Sequence, residues 1–132
     1  MRILFVCTGN AHRSPLAEAL LKKLRPDIEV GSAGLHIAIP VSEEVREYLA
    51  KQNADQYLKK FPENLDSKSL NRCGLIIAME TRHKDAVLSK CPECKDKIVV
   101  WNIRDPYYLS HKDAEKIYAE IKEKVTELAK TL

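Results

Sequence analysis

The chain has 132 residues and a mass of 15.0 kDa, the size of one ordinary domain, and we expect one domain over residues 1–132. With 45% hydrophobic and 31% charged residues, the composition excludes a disordered tail. The net charge of +3 comes from basic and acidic residues scattered along the chain, so nucleic acid is not an expected partner. The apolar runs fall far short of the ~20 residues of a spanning helix, and no signal peptide is evident. These features predict a cytoplasmic protein with no membrane partner.

Apolar runs alternate with helical patterns along the chain. Ile3–Val6 and Leu75–Met79 are short and uniformly apolar, which is typical of strands buried on both faces. Ile28–Val30, which runs into a predicted turn at 31–34, and Lys97–Trp101 are two further predicted strands. Helices are predicted to begin near Ser14, Ser42, Thr81 and Ala114. This alternation predicts a doubly wound α/β fold, with a central parallel sheet of about four strands flanked by helices on both faces.

The loop after the first strand carries the clearest chemical signal. In a parallel α/β sheet, ligands bind at the carboxyl ends of the strands, often at the first turn between strand and helix. Here Cys7 and Arg13 enclose five residues, a length that lets the backbone N–H groups curl around an anion. Gly9 and Asn10 readily accept the positive φ that such a curl requires. The guanidinium of Arg13 can hold two phosphate oxygens.

Cys7 is predicted to lie at the floor of this cup. The loop N–H groups, the helix dipole, Arg13 and the hydroxyl of Ser14 all favour a thiolate there. A thiolate facing a bound phosphate predicts attack on phosphorus and a covalent phosphocysteine. The alternative is that Cys7 is a small buried residue that ends a strand. Besides catalytic Cys7 and Arg13, the expected phosphate-binding residues are Thr8, Gly9, Asn10, Ala11, His12 and Ser14, with Asn10 holding the shape of the loop.

This segment resembles the signature of the low-molecular-weight protein tyrosine phosphatases, Cys-x-Gly-Asn-x-Cys-Arg-Ser-Pro after a strand. The matching run here is Cys7-Thr8-Gly9-Asn10-Ala11-His12-Arg13-Ser14-Pro15. Further landmarks follow in the family's order over nearly the whole chain: Ala17-Glu18, Ser32–Gly34, Ile76–Glu80 and Asp105–Tyr108. The resemblance implies a protein tyrosine phosphatase that acts on phosphotyrosine proteins or small aryl phosphates, with no cofactor and no metal.

The resemblance also implies roles near the C-terminus. Asp105 is the implied general acid, which protonates the leaving phenolate and later deprotonates water, although an Asp-Pro pair by itself favours a simple turn. Tyr107 and Tyr108 match the family's aromatic pocket wall, with core packing and surface exposure as their alternatives. His12 replaces the family's second loop cysteine and is either a bystander or a cation that favours the thiolate. Residues 34–41 form a shorter segment without the family's aromatic residue, which leaves the substrate class open.

Cys91 and Cys94 form a Cys-x2-Cys pair without a matching second pair. Two inert thiols in a loop are the main interpretation, with a redox pair and a zinc site lacking two ligands as alternatives. Because arsenate reductases share this fold and loop and use a distal cysteine pair, arsenate reduction is the second functional hypothesis. A phosphate-binding module without turnover is the third. His83 is expected to be exposed on a helix, and a monomer is favoured without a signal that decides the oligomeric state.

Overall fold

The computed structural model describes all 132 residues and contains a parallel sheet of four strands. The strands are β1 (Arg2–Cys7), β2 (Glu29–Gly34), β3 (Leu75–Ala78) and β4 (Ile98–Val100). The helices are α1 (Arg13–Leu24), α2 (Glu43–Lys51), α3 (Thr81–Lys90) and α4 (His111–Thr131), and short 3-10 turns lie between them. No helix is both long enough and apolar enough to cross a membrane.

β1 lies inside the sheet because its side chains are apolar on both faces. Successive residues of a strand point to opposite faces. Accordingly, Ile3 and Phe5 pack into a larger core with α1, α2 and α4, whereas Leu4 and Val6 pack into a smaller core with α3. Helices therefore cover both faces of the sheet, and the predicted doubly wound α/β fold is confirmed.

The strand order is β2-β1-β3-β4, and every pairing is parallel. The chain therefore leaves β1 towards β2 on one side and later enters β3 on the other side. In such a sheet a crevice opens at the carboxyl end of the strand where the direction reverses. That position is the end of β1 at Cys7, which pairs with Gly34 of β2.

The predicted turn at 31–34 is wrong, because these residues continue β2 alongside β1. The glycine that ends this strand has a steric role. A Cβ on Gly34 would lie 2.7 Å from the backbone nitrogen of Asn10 and 2.8 Å from the carbonyl carbon of Gly9. The loop after β1 therefore packs directly on the backbone of β2, an approach that only glycine permits.

The helix after the loop also begins earlier than predicted. α1 starts at Arg13, and Ser14 lies in its first turn instead of acting as the N-cap. The hydroxyl of Ser14 is engaged by Cys7 and Asn10, so it is not available to cap the helix. A motif that resembles a helix cap is thus used to hold the loop.

The interpretation of Cys91 and Cys94 as two thiols is wrong, because the two residues form a disulfide with Cα atoms 5.4 Å apart. Both residues are buried, in the turn that follows α3. The free cysteines are Cys7 and Cys73. The disulfide joins residues only three positions apart and lies in the smaller core.

Candidate active site

The loop between β1 and α1 borders a cavity of about 300 Å³ at the carboxyl edge of the sheet. The structure brings most of the predicted site residues to this cavity, whereas Asn10 and Ser14 are buried behind the loop. The segment from His36 to Ile39 contributes a further wall. The predicted residues that line the cavity are Cys7, Thr8, Gly9, Ala11, His12, Arg13, Asp105, Tyr107 and Tyr108.

The sulfur of Cys7 has one close polar neighbour. Cys7 is 2% exposed, and its Sγ lies 2.9 Å from Oγ of Ser14. That oxygen accepts a hydrogen bond from Nδ2 of Asn10 at 2.8 Å, so the proton of the Ser14 hydroxyl is free to be donated to the sulfur. A hydrogen bond to a thiolate stabilises its charged form, as does the N-terminus of α1 beside it.

Asn10 holds the loop in its curled conformation. Its φ of 53° lies in the left-handed region that asparagine tolerates better than most residues. Nδ2 donates to Oγ of Ser14 and, at 2.9 Å, to Oγ of Ser32. Oδ1 accepts from Nζ of Lys59 and from the backbone N–H of Glu63, each at 2.8 Å. The buried amide is therefore fully hydrogen-bonded, which fits its predicted role in holding the shape of the loop.

Arg13 spans the side of the cavity and is 2% exposed. Nη1 donates to Oε2 of Glu80 at 2.5 Å and to the backbone carbonyl of Ile103 at 2.7 Å. Nη2 lies 3.2 Å from Oγ1 of Thr8 and 3.5 Å from Oδ2 of Asp105. The guanidinium is thus fixed from three sides, and its orientation is set before any ligand binds.

Glu80 is a site residue that the sequence did not identify as such. Burial alone would raise its pKa, but hydrogen bonds from Arg13 and Arg82 lower the pKa below its ordinary value. Glu80 is therefore charged at neutral pH and balances Arg13. Its position just after β3 could have indicated a site residue, because β3 pairs with β1 and the carboxyl ends of both strands lie at the same edge of the sheet.

His83 is fully buried, so the expectation that it would be exposed is wrong. Its Nδ1 accepts a hydrogen bond from the backbone N–H of Glu80 at 3.0 Å, and its Nε2 lies 2.9 Å from Oγ1 of Thr8. This pairing requires a neutral ring with its proton on Nε2, which donates to Thr8. Burial, and then the charge of Arg13, lowers the pKa of His83 to about 4. The ring is therefore neutral at pH 7.

We expect His83 to make stability depend on pH. Between the ordinary pKa of 6.5 and the folded value of about 4, the unfolded chain binds a proton that the folded chain does not. Stability is therefore highest above pH 6.5 and falls as the pH drops to about 4, by about 3 kcal/mol from this residue. Urea denaturation of His83→Gln from pH 4 to pH 7 should give a flatter curve than the wild type.

The control for this measurement is His111→Gln, because His111 is an exposed histidine whose side chain is 62% accessible. We expect the loss of stability below pH 6.5 that is due to His83 to remain in this variant. Parallel curves for His83→Gln and the wild type would contradict the assignment of His83 as a buried neutral base.

Asp105 forms a turn and also lines the cavity. Its Oδ1 accepts the backbone N–H of Tyr107 at 3.0 Å, which is an Asx-type turn. Its Oδ2 faces Arg13 across the cavity, and 41% of the side chain is accessible to solvent. The turn thus aims the carboxyl group at the cavity while leaving it open to water and to a ligand.

The aromatic wall is made of three rings. Tyr107 and Tyr108 meet edge to face with ring centres 4.6 Å apart, and Tyr107 lies 6.1 Å from the ring of His12. The tyrosines are 50% and 91% exposed, so core packing does not explain them. Burial lowers the pKa of His12 below 6.5, although Asp105 opposes the shift. His12 is therefore mostly neutral at pH 7, which disfavours its interpretation as a cation.

A parallel α/β sheet with an arginine-lined, anion-binding loop at its carboxyl edge is typical of a class of phosphatases. Comparison with known sequences agrees, because residues 2–132 match the family described as low molecular weight phosphotyrosine protein phosphatase, and the chain belongs to that family. The chain is therefore a hydrolase of phosphomonoesters, and the prediction of an enzyme of this family is confirmed.

Individual relatives agree with this assignment. The low molecular weight protein-tyrosine-phosphatase Wzb of Salmonella typhi is 30% identical, over 99% of this chain and 93% of that protein. A protein-arginine-phosphatase of Geobacillus stearothermophilus is 37% identical, over 73% of this chain and 66% of that protein. Among solved structures, Vibrio vulnificus Wzb in complex with benzylphosphonate superposes with a TM-score of 0.88 and 31% identity, covering 99% of this chain and 98% of that one.

Proposed function

We propose that this protein removes the phosphoryl group from phosphotyrosine side chains, or from small aryl phosphates, through a phosphocysteine on Cys7. One observation carries the proposal: Cys7, Arg13 and Asp105 line the same cavity. The sulfur lies at its floor, the guanidinium at its side, and the carboxyl group at its solvent-accessible edge. These are a nucleophile, an anion-binding fork and a proton donor around a space for one phosphate.

In the first step the Cys7 thiolate attacks phosphorus, so that an S–P bond forms and the bond from phosphorus to the aryl oxygen breaks. Arg13 and the loop N–H groups stabilise the equatorial oxygens, and Asp105 gives its proton to the leaving oxygen. In the second step Asp105 takes a proton from water, the water oxygen attacks phosphorus, and the S–P bond breaks. Inorganic phosphate leaves and the thiolate is restored.

Thr8 contributes to this binding site through its side chain as well as its backbone. Its Oγ1 lies within 3.2 Å of Nη2 of Arg13, 2.9 Å of Nε2 of His83 and 2.6 Å of Nη2 of Arg82. All three neighbours are donors, and the hydroxyl oxygen can accept from two of them at a time, so none of them accepts the hydroxyl proton of Thr8. That proton is available to a phosphoryl oxygen in the cavity.

The aromatic wall supports an aryl substrate, because the ring of a phosphotyrosine can pack against Tyr107 and Tyr108. A structural relative was solved in complex with benzylphosphonate, a ligand that joins an aromatic ring to a phosphonate group. Phosphoarginine is the second candidate, because one relative is named a protein-arginine-phosphatase. Assays on matched peptides that carry either group test the choice. We expect a higher kcat/KM for the phosphotyrosine peptide, and the opposite order would replace the proposal with arginine phosphatase activity.

Arsenate reduction fits the structure less well, because Cys7 is the single cysteine that lines the cavity. The Cys91–Cys94 disulfide lies beyond the C-terminal end of α3, whereas Glu80 at the other end of this helix contacts Arg13. A helix of ten residues is about 15 Å long. The disulfide is thus too far from Cys7 for direct exchange without a rearrangement of the smaller core.

We expect Arg13→Lys to lose most of its phosphatase activity. A lysine ammonium is a point charge and cannot replace the planar fork that contacts Glu80, Thr8 and a substrate together. A charged hydrogen bond is worth about 1.5–3 kcal/mol, so kcat/KM should fall roughly 10- to 100-fold. Steady-state hydrolysis of p-nitrophenyl phosphate measures this. Arg72→Lys, an exposed arginine outside the cavity, should keep the wild-type rate, and full activity of Arg13→Lys would contradict the role of the guanidinium.

A further inference from the structure

We propose that Lys59 is a positioning residue for this site. Its buried ammonium group holds the loop between β1 and α1 in place through Asn10 and thereby stabilises the thiolate of Cys7. The proposal deepens the function proposed above and rests on it for the role of Cys7. Lys59 lies 49 positions from Asn10, in a polar segment between α2 and β3 that has no recognisable motif.

Lys59 is buried to an extent that is unusual for a lysine. Only 8% of its side chain is accessible, and lysine is rarely buried unless its charge is paired. Nζ donates to Oδ1 of Asn10 at 2.8 Å, to the carbonyl oxygen of Ser32 at 3.0 Å and to Oγ of Ser32 at 3.1 Å. These three acceptors match the three protons of the ammonium group, and one of them is the residue that gives the loop its curl.

A directed series of hydrogen bonds connects Lys59 to the sulfur. An ammonium group only donates, so Oδ1 of Asn10 is the acceptor, and Nδ2 of the same amide then donates to Oγ of Ser14. The Ser14 hydroxyl is left to donate to Sγ of Cys7, 2.9 Å away. Every bond points the same way, and a positive charge at the start polarises each following bond towards the thiolate.

The same contacts oppose the strain of the loop. A non-glycine residue at φ 53° is held there only when its surroundings favour it. Both acceptor sites of the Asn10 carbonyl are occupied from one segment, by Nζ of Lys59 and by the backbone N–H of Glu63. Lys59 therefore contributes both to the shape of the loop and to the charge behind it.

The charges around Lys59 are nearly balanced. Glu18 of α1 lies 3.9 Å from Nζ of Lys59 and is also paired with Lys22. Glu63 lies 3.4 Å from the same Nζ and is also paired with Lys68. Burial lowers the pKa of Lys59, while Glu18 and Glu63 oppose that shift. The two carboxylates stabilise the ammonium group without contacting the Asn10 side chain. The Asn10 amide therefore links the charge of Lys59 to the loop.

The charged and titratable groups that share the cavity with Cys7 come from other elements. They are Arg13 of α1, His12 of the loop, His36 after β2, and Asp105, Tyr107 and Tyr108 after β4. Substitution of Lys59 leaves all of them in place. A change in the ionisation of Cys7 that appears only on substitution of Lys59 can then be assigned to the path through Asn10 and Ser14.

The test is the rate at which iodoacetamide alkylates Cys7 as a function of pH, followed by mass spectrometry of the peptide that contains Cys7. This readout does not require enzyme activity. Lys59→Met removes the charge and the donors, Lys59→Gln keeps a donor without the charge, and Lys59→Arg keeps both. Lys68→Met is the matched control, because Lys68 also pairs with Glu63 but does not contact Asn10.

We expect the pH midpoint of alkylation to rise by about one unit in Lys59→Met and Lys59→Gln. This order of magnitude follows from the loss of one positive charge that interacts with the Cys7 thiolate through a partly buried region. Below the midpoint this is a roughly tenfold slower reaction. Lys59→Arg should stay near the wild type, and Lys68→Met should match it. Circular dichroism identifies any variant that fails to fold. If Lys59→Met does not fold, the test relies on Lys59→Gln.

An unchanged midpoint in folded Lys59→Gln, with or without a lower melting temperature, would overturn the proposal, because a merely structural lysine predicts that result. An equal shift in Lys68→Met would overturn it as well. If the wild type fails to hydrolyse aryl phosphates while Lys59→Gln still shifts the midpoint, the function proposed above is wrong and the positioning role of Lys59 is supported.

Discussion

Cys7→Ser is expected to abolish turnover of aryl phosphates while leaving the fold and phosphate binding intact. A serine hydroxyl is a far weaker nucleophile than a thiolate at neutral pH, so no phosphoenzyme should form. The replacement is close in size at a site that is 2% exposed, and the contact with Ser14 remains possible for an oxygen. Hydrolysis of p-nitrophenyl phosphate and calorimetric titration with phosphate measure the two properties separately.

The matched control is Cys73→Ser, which replaces the other free cysteine. Cys73 is also buried, at 5% exposure, but it packs in the smaller core away from the cavity. We expect this variant to lose some stability and keep its rate. A wild-type rate in Cys7→Ser, or loss of activity in both variants alike, would contradict the assignment of Cys7 as the nucleophile.

The second large effect is expected from Asp105→Asn. An acid matters in proportion to the basicity of the leaving group, and the phenolate of tyrosine has a conjugate acid with a pKa of about 10. Loss of the donor should slow phosphorylation of Cys7 by phosphotyrosine about 100- to 10,000-fold. An activated nitrophenolate leaves more readily, so its ester should be much less affected.

Rapid-quench measurement of the phosphorylation step for both esters tests this difference. It separates the first step from hydrolysis of the phosphoenzyme, in which the proposed mechanism also uses Asp105. Asp85→Asn, an exposed carboxylate on α3, is the control and should behave as the wild type. Asn keeps an oxygen that can accept the N–H of Tyr107, so the turn is preserved. Equal slowing with both esters would contradict the role of Asp105 as the acid for the leaving group.

The fold was predictable because its signals are local. Ile3–Val6 and Leu75–Met79 are uniformly apolar over the length of a buried strand, and helical spacing separates them. The loop from Cys7 to Arg13 was predictable for the same reason, since the cysteine, the turn residues and the arginine lie within seven positions. The end of β2 was mispredicted because Gly31 and Gly34 are typical of turns, whereas here Gly34 allows the loop to pack on the strand.

The supporting residues were not predictable from local patterns. Lys59, Glu80 and His83 reach the loop from 49, 67 and 75 positions away. Each is a polar residue that is usually exposed, and each is buried or paired here only because the tertiary structure supplies its partner. A single sequence contains no periodicity that marks such contacts. The position of Glu80 just after β3 is the one signal that it offers, and the roles of Lys59 and His83 follow from the geometry.

The most direct test of the central claim is to trap the phosphoenzyme. Asp105→Asn with p-nitrophenyl phosphate is suited to this, because the first step needs little acid and the second step lacks its base. Acid quenching within the first turnover, followed by peptide mass spectrometry, should find one phosphoryl group on the peptide that contains Cys7, at sulfur. A burst of nitrophenolate with the phosphoryl group on another residue, or with no phosphoenzyme at all, would contradict catalysis by Cys7.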